Sequence, residues 1–499
     1  MRVLFLDIDT LRPDHMGCYG YHRNTTPNLD RVCGAGVRFD RHYCADAPCL
    51  PSRAGLISGR FGIRTGAVGH GGTAADMRVT GPSRQFRDAA DEGNLINVFR
   101  KAGLRTASVS TFAERHSSYW FNAGFNETLN VGGRGMESGE AVLPPAIEWL
   151  DRNGRSDGWF LHVHLWDPHT PYRAPADFGD PFADAPLGTW ITEETLSRHL
   201  TLAGPHTASE LGMYGDSEDP AYPRHPGKVA DMAGLRRLID GYDTGILYAD
   251  YLIGKILDRL GALRVLDDTA IIVTSDHGES MGELGIYAEH ATADAATCAI
   301  PLIIKWPGCK AGHADGGIHC NLDLAPTMAG LLGVAPNPDW DGMSMAETVT
   351  EGKPSGRESL VISQLAHTCQ RSALFGDWLY MRTYHDGHHL FDGEMLYDLA
   401  ADPHEENDVK DAYRGVCDMG ARIILDWQDS MLSRRGAGTD PLWTVMSEGG
   451  PYHAPKSALP GYLERLRATG RPDKAALLAE RHGSPGLGRP AGPRDPGDG

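Results

Sequence analysis

Short apolar runs alternate with amphipathic helical stretches through roughly the first two thirds of the 499 residues, and this alternation constrains the fold more than any other feature. Strands separated by helices pair in parallel, so the pattern implies a large, mostly parallel sheet flanked by helices, an α/β class. Residues 3–6 read as a buried strand, and 106–110, 159–166, 269–275 and 302–304 as later ones. Thr26 and Pro27 open a helix that Gly34 closes, with Thr26 expected as its cap. The text from Asn94 to Ala102, stopped by Gly103, repeats that plan. A helix is also expected over about 243–263, where Ile246, Ile253, Ile256, Leu257 and Leu260 fall at helical spacing.

Residues from about 170 to 235 fit neither pattern, being rich in Pro, Gly, Asp and His without a sustained apolar period. They read as an irregular insertion that shapes a site within a catalytic domain of residues 1–345. Beyond about 345, the runs 360–363, 378–383 and 395–399 read as strands of a small antiparallel sheet, so 346–482 is expected to form a C-terminal α+β subdomain. The stretch 483–499, GSPGLGRPAGPRDPGDG, is nearly all turn formers and is expected to be a disordered tail.

Composition narrows the partners. With 47 basic against 66 acidic residues the net charge is -19, which repels nucleic acid and acidic membrane surfaces; an anionic substrate must be held by local groups. No run is long and apolar enough to span a bilayer. Only a short apolar run precedes Asp7 and Asp9, which does not make a secretory leader, and the nine cysteines show no CxxC pair. The chain is therefore expected to be cytoplasmic with reduced thiols, and a homo-oligomer is compatible with all of this.

In open parallel sheets ligands sit at the carboxyl ends of the strands. There the sequence puts Asp9 and Thr10, then His169 by way of Asp167-Pro168, then Asp276-His277-Gly278-Glu279. Each alone reads as a cap or loop residue. Together, two carboxylates and an imidazole suit a hard divalent cation such as calcium, magnesium or manganese. Cys49, in APCLPSR at 47–53, would open a helix whose free N–H groups meet an anion, with Arg53 one turn on and able to bond an oxidised or ionised cysteine. On spacing alone a buried inert thiol explains Cys49 better. His162 and His164 share a strand face and read as residues satisfied by their neighbours. Trp166, Trp306 and Trp340 read as packing, and Cys18, Cys33 and Cys44 as small apolar fillers.

Cys49-Leu50-Pro51-Ser52-Arg53 resembles the CxPSR signature of the sulfatases, a branch of the alkaline phosphatase superfamily in which the cysteine becomes formylglycine. DTLRPDHMGCYG, TPNLDRVCGAGVRF, SGR at 58–60, WDPHTPY at 166–172, TSDHGE at 274–279, IPLIIKWPG at 300–308, DLAPT at 323–327 and LYDLAADPHEEND at 396–408 are similar to sulfatase segments in the same order. The resemblance implies an alkaline phosphatase-like fold, one divalent metal with calcium first and manganese or magnesium as alternatives, and maturation by a formylglycine-generating enzyme. It implies that Asp9, Asp276 and His277 are metal ligands and that modified Cys49 completes the shell. One hydroxyl of the hydrated aldehyde attacks sulfur and expels the alcohol; loss of a proton from the other then breaks the C–O bond, releasing sulfate and reforming the aldehyde. Arg53 would stabilise the diol, while His169 would bind sulfate oxygens or protonate the leaving group.

The sequence departs from the family at four places. Two consecutive aspartates are usual after the first strand; here Asp9 is followed by Thr10, a weak ligand or none, with Asp7 on the same strand face. The second acidic ligand is usually followed by Asn; here it is His277, as in the phosphonate monoester hydrolase branch. The GKxH element after Gly103 is missing, and Arg115-His116 are expected to supply its cation and imidazole. The usual later lysine is also absent, with His290 of Glu289-His290 as its expected substitute for catalysis and substrate binding. The leading expectation is a sulfatase acting on a sulfate ester or sulfamate of a small or carbohydrate substrate. A phosphonate monoester or phosphodiester hydrolase is the alternative, and a catalytically inactive binding protein a third.

Overall fold

The computed structural model describes residues 1–483 except 82, 83, 86, 92 and 435–437, so the expected tail lies outside the described residues from 484 onward. Eight strands form the main sheet: β1 (Arg2–Ile8), β2 (Val37–Tyr43), β3 (Arg105–Val109), β4 (Glu127–Leu129), β5 (Trp159–Leu165), β6 (Thr269–Thr274), β7 (Leu302–Lys305) and β8 (His313–Cys320). Their order is β8-β2-β7-β6-β1-β5-β3-β4, and β7 alone runs antiparallel, to both β2 and β6. The α/β class expected from the alternation is the observed one.

β1 lies at the centre because its sequence is apolar on both faces, as a strand covered on both sides requires. Leu4, Leu6 and Ile8 enter one core with Trp149, Leu161 and Ile253, while Val3 and Phe5 enter a second with Leu50, Phe99 and Phe160. Each such buried side chain contributes about 1.5–3 kcal/mol. The second core is roofed by α2 (Cys49–Ser58), which follows α1 (Pro27–Gly34) and is buried along its whole length. A helix enclosed on all sides must be small and apolar all round, which LPSRAGLIS nearly is; Arg53 is the exception.

Further helices are α3 (Leu95–Lys101), α4 (Gly139–Asn153) and α5 (Met232–Ala262). Asn94 caps α3 by accepting from the Asn97 N–H at 2.8 Å. α5 begins before the expected 243, because Asp231 caps it through the Gly234 N–H at 2.8 Å and Leu235, Leu238 and Ile239 extend its buried stripe. The expected cap of α1 is corrected. Thr26 does not cap: its hydroxyl donates to Asp30 Oδ1 at 2.9 Å and accepts from the Gly17 N–H at 3.0 Å, tying the preceding loop to the helix.

A second sheet comprises β9 (Ser359–Gln364), β10 (Cys369–Phe375), β11 (Trp378–His385) and β12 (Glu394–Asp398), all antiparallel. Asp46–Ala47 adds to it in parallel beside β9, so the residues just before Cys49 belong to the smaller sheet and those after it to the larger domain. Between β5 and α5 the chain is mostly turns, with a short 3-10 helix, Ala176–Phe178, and one short α-helix, Glu193–His199, capped by Thr192. No described helix is long and apolar enough to cross a membrane.

Candidate active site

The carboxyl ends of β1, β5 and β6 and the first turn of α2 converge on one point. Asp9 leaves β1, Asp276 and His277 leave β6, and Cys49 is the first residue of α2; all are buried. Cys49 Sγ lies 3.0 Å from His277 Nε2, which is 3.6 Å from Asp276 Oδ2 and 4.0 Å from Asp9 Oδ1. One ligand atom from each of these four residues falls within 4.8 Å of every other. The backbone fixes them there: the N–H groups of Thr10 and His277 donate to Asp276 Oδ1 at 3.3 and 3.0 Å, and Ser52 Oγ donates to the Asp276 carbonyl at 2.6 Å.

Arg53 is fully buried beneath this group. Its guanidinium donates to Asp7, donates to Asp9 Oδ2 at 3.0 Å, lies 3.2 Å from Asp276 Oδ2 and 2.8 Å from His164 Nε2. Its bonds therefore go to carboxylates and to His164, where Cys49 was the expected partner. The reason is position: one turn into a buried helix, the side chain runs under the carboxyl end of β1. His162 and His164 are satisfied by neighbours, as expected. Ser108 Oγ lies 2.8 Å from His162 Nδ1 and Ser110 Oγ lies 3.0 Å from His164 Nδ1, while their Nε2 atoms face Asp7 and Asp9.

The electrostatics point to a cation. Burial pushes the Asp276 carboxyl up to about 7, Arg53 opposing the rise and Asp9 adding to it. Burial alone would discharge His277, but Asp276 and Cys49 outweigh it and lift the imidazole to about 9. Asp9 Oδ1, Asp276 Oδ2 and Thr10 Oγ1 are buried without a hydrogen-bond partner. Unpartnered buried oxygens are rare and demand an explanation. His277 Nδ1 lies 2.8 Å from the Gly278 carbonyl, which fixes that nitrogen as the N–H and leaves Nε2 free to ligate. Two carboxylate oxygens, a hydroxyl and an imidazole nitrogen fit a divalent cation.

Cys49 floors a cavity of about 610 Å³ whose wall includes Arg115, His116, His169 and His290. His290 packs against His277 at a ring separation of 4.0 Å and lies 5.4 Å from His169. Its Nε2 is 2.9 Å from Glu289 and its Nδ1 3.6 Å from Glu279, and Glu289 outweighs burial to hold the ring's pKa well above the ordinary imidazole value. A cation thus occupies the place where a lysine was expected to be replaced. Arg115 lies farther out, over the Trp166 ring at 5.2 Å, whereas His116 is close enough to Cys49 for a shared ligand cluster. Trp306 and Trp340 are buried, as packing residues are, but buried Trp166 also touches His164 and His169 at the edge of the site.

Three lining histidines were not singled out by sequence: His70, His367 and His453. His367 comes just after β9, so inspection of strand ends in the small sheet as well as the large one would have found it. His70 and His453 lie in irregular chain, where no periodicity marks them.

Comparison with known proteins places this geometry. A family model described as Sulfatase matches residues 2–334. The chain belongs to the sulfatase family. Among relatives of this sulfatase, the N-acetylglucosamine-6-O-sulfatase of Bacteroides thetaiotaomicron is 24% identical over 466 residues, covering 82% of each chain. The choline-sulfatase of Rhizobium meliloti is 26% identical over 448 residues, covering 79% of each. Two solved structures share the fold. One, of a protein in complex with its substrate D-glucosamine-2-N,6-O-disulfate, superposes with a TM-score of 0.68 at 19% identity and covers 88% of this chain and 99% of that one. The other, the phosphonate monoester hydrolase of Agrobacterium radiobacter, gives 0.65 at 20% identity, covering 86% and 95%. Sulfatases are sulfuric ester hydrolases, so the enzyme class and the fold expected from the sequence are those observed.

Proposed function

We propose that this sulfatase hydrolyses a sulfate ester or sulfamate of a small or carbohydrate substrate, with Cys49 matured to formylglycine by a formylglycine-generating enzyme. The observation that carries the reading is the position of Cys49 Sγ, 3.0 Å from His277 Nε2 and clustered with the oxygens of Asp9 and Asp276. Asp9, Asp276 and His277 would hold one divalent cation, with Thr10 alongside; the oxygen-rich set favours calcium, and manganese or magnesium accept the same ligands. Such a cation lowers the pKa of a bound hydroxyl, and the matured side chain supplies that hydroxyl as a hydrated aldehyde. The chain's own residues do the rest. His290 and Arg115 bind sulfate oxygens, and His116 receives a proton from the matured side chain. His169, whose Nδ1 donates to the Thr170 carbonyl and whose pKa burial holds well below the ordinary imidazole value, must take up a proton at Nε2 to bind sulfate oxygens or protonate the departing alcohol. Arg53 acts through Asp9 and Asp276, as a positioning residue.

The carbohydrate part of the proposal rests on the sugar sulfatases among the relatives and on space. Beside the 610 Å³ cavity lies a second of about 690 Å³ that shares Met213, Tyr452 and His453 with it. A cytoplasmic location agrees with nine unpaired cysteines.

The test is peptide mass spectrometry across Cys49 on protein co-expressed with the maturation enzyme, followed by turnover of 4-nitrophenyl sulfate. An aldehyde at position 49 together with sulfate release supports the proposal. An unmodified thiol, beside a control substrate that is matured, removes its basis. His277, in the place of the usual Asn, favours a second reading as a phosphonate monoester hydrolase. A matured enzyme that prefers a phenylphosphonate ester over the aryl sulfate decides for that reading.

A further inference from the structure

The active-site cavity has a second ligand cluster that the sulfatase chemistry does not use. His70 follows the glycine-rich turn after the α2 region, His367 follows β9, and His453 follows Gly449-Gly450-Pro451-Tyr452 near the C-terminal helices. One ring nitrogen from each lies within 4.8 Å of the other two. His70 Nδ1 and His453 Nε2 are 2.9 Å apart, the rings of His367 and His453 face each other at 4.0 Å, and His70 stands edge-on to both. All three line the cavity above Cys49.

We propose that His70, His367 and His453 form a second metal site, for a borderline divalent cation of the zinc class, whose open position faces the active-site cavity. Two arguments support it. Burial holds the rings of His70 and His367 well below the ordinary imidazole pKa and that of His453 down to about 4, with neighbouring imidazoles adding to the effect. The three rings are thus neutral, and neutral imidazole is the ligand form. The facing pair of ligand nitrogens is His70 Nδ1 and His453 Nε2, 2.9 Å apart; His70 Nε2, buried without a partner, is the other nitrogen of that ring. Finally, zinc–nitrogen bonds of about 2.0–2.1 Å set tetrahedral ligand nitrogens about 3.3 Å apart, close to the separation of His70 and His453.

Facing rings cannot aim two lone pairs at one point, so ligation requires His367 or His453 to turn about its Cβ–Cγ bond. Three neutral ligands leave the ion its full double charge, so an anionic group on a bound ligand completes the shell from the cavity side. Selectivity against the first site follows from donor type: imidazoles favour zinc, copper and cobalt, whereas calcium prefers the oxygens of Asp9 and Asp276.

The experiment uses the full chain carrying Cys49→Ala, which removes every cluster that includes the thiol, in excess calcium to fill the carboxylate site. Titration with Co2+ is followed by calorimetry and visible absorption, and X-ray absorption counts imidazoles on the bound ion. The expected result is one tight equivalent with tetrahedral absorption and three imidazoles, retained when Asp276→Asn weakens the other site and weakened at least tenfold by His453→Gln or His70→Gln. No tight equivalent, an oxygen-dominated shell, or affinity unchanged in both histidine variants overturns the proposal. The imidazole count needs no histidine variant, so a misfolded substitution does not decide the matter. None of these readouts depends on sulfate hydrolysis, so this proposal and the sulfatase reading stand or fall separately.

Discussion

At the scale of single residues, Arg53 carries a heavy electrostatic load at the site. It is the guanidinium shared by Asp7, Asp9 and Asp276, all fully buried. Removing one partner from a buried ionic group strands the others, which costs about 3–5 kcal/mol where a single pair is broken. Arg53→Met is therefore expected to lower the urea midpoint of calcium-free protein by that equivalent; an unchanged midpoint means the carboxylates are neutral and the charge network is misread. Cys49→Ala is the contrasting case. The thiol is buried but small, so the variant is expected to keep its melting temperature within a few degrees and to lose turnover of 4-nitrophenyl sulfate entirely; residual turnover of the purified variant removes Cys49 as the nucleophile. The sequence showed both residues through one motif. It could not show that the guanidinium serves the aspartates, because the contact spans 44 residues to Asp9 and depends on where α2 lies under β1.

At the scale of elements, the last described helix is fastened to the rest by ion pairs to the buried Asp386 carboxylate, Arg481 itself being exposed. The helix Pro472–Gly483 places Arg481 Nη1 2.6 Å and His482 Nε2 2.8 Å from Asp386, while Leu478 and Ala475 pack with Tyr462 and Ala203. Burial opposes ionisation of Asp386, but His482 and Arg481 outweigh it and hold the carboxyl well below its ordinary value of 3.8. A depressed carboxyl contributes stability that is full above its unfolded pKa and is lost as pH falls through the folded one. Hydrogen exchange in residues 472–483 is thus expected to accelerate below about pH 4 before the main sheet opens, and Asp386→Asn should give the same local opening at pH 7. Simultaneous exchange of helix and sheet would show that the pair fastens nothing locally. Elements were legible in proportion to their apolar periodicity. β1 and β6 are nearly continuous apolar runs and β5 is one broken by His162 and His164, and they stood out; β10 did not, because CQRSALF buries Gln370, Arg371 and Ser372, with Arg371 donating to both Asp440 oxygens at 2.8 and 2.7 Å. β8 was hidden by Gly316 and Gly317, where its register with β2 shifts. The span of α5 upstream of 243 was masked by Arg236, Arg237 and Asp240, half-buried charges interspersed with buried Leu238 and Ile239.

At the scale of the whole molecule, the site is held together by parts remote in sequence. Asp9 comes from the first strand, Asp276 and His277 from the sixth, and Cys49 from a helix whose preceding residues pair with Ser363 and Gln364 of the second sheet. The order of segments along the chain disclosed the family, but only the fold discloses that both sheets meet at Cys49. Such a site stores repulsion: Asp9 raises Asp276, and unpartnered oxygens of both face one point. A divalent ion held there binds the folded chain and not the unfolded one, so it stabilises by about 2.7 kcal/mol when present at a hundredfold over its Kd. Chelation is therefore expected to lower the melting temperature by several degrees and calcium to restore it, in the wild type and in Cys49→Ala alike, since the aspartates and His277 supply most of the ligands. Asp276→Asn should abolish that calcium-dependent shift, because it removes one charged ligand and the repulsion together. A chelator shift that persists undiminished in Asp276→Asn places the stabilising ion elsewhere, and the imidazole cluster of His70, His367 and His453 is then the first place to look, with zinc in calcium's stead.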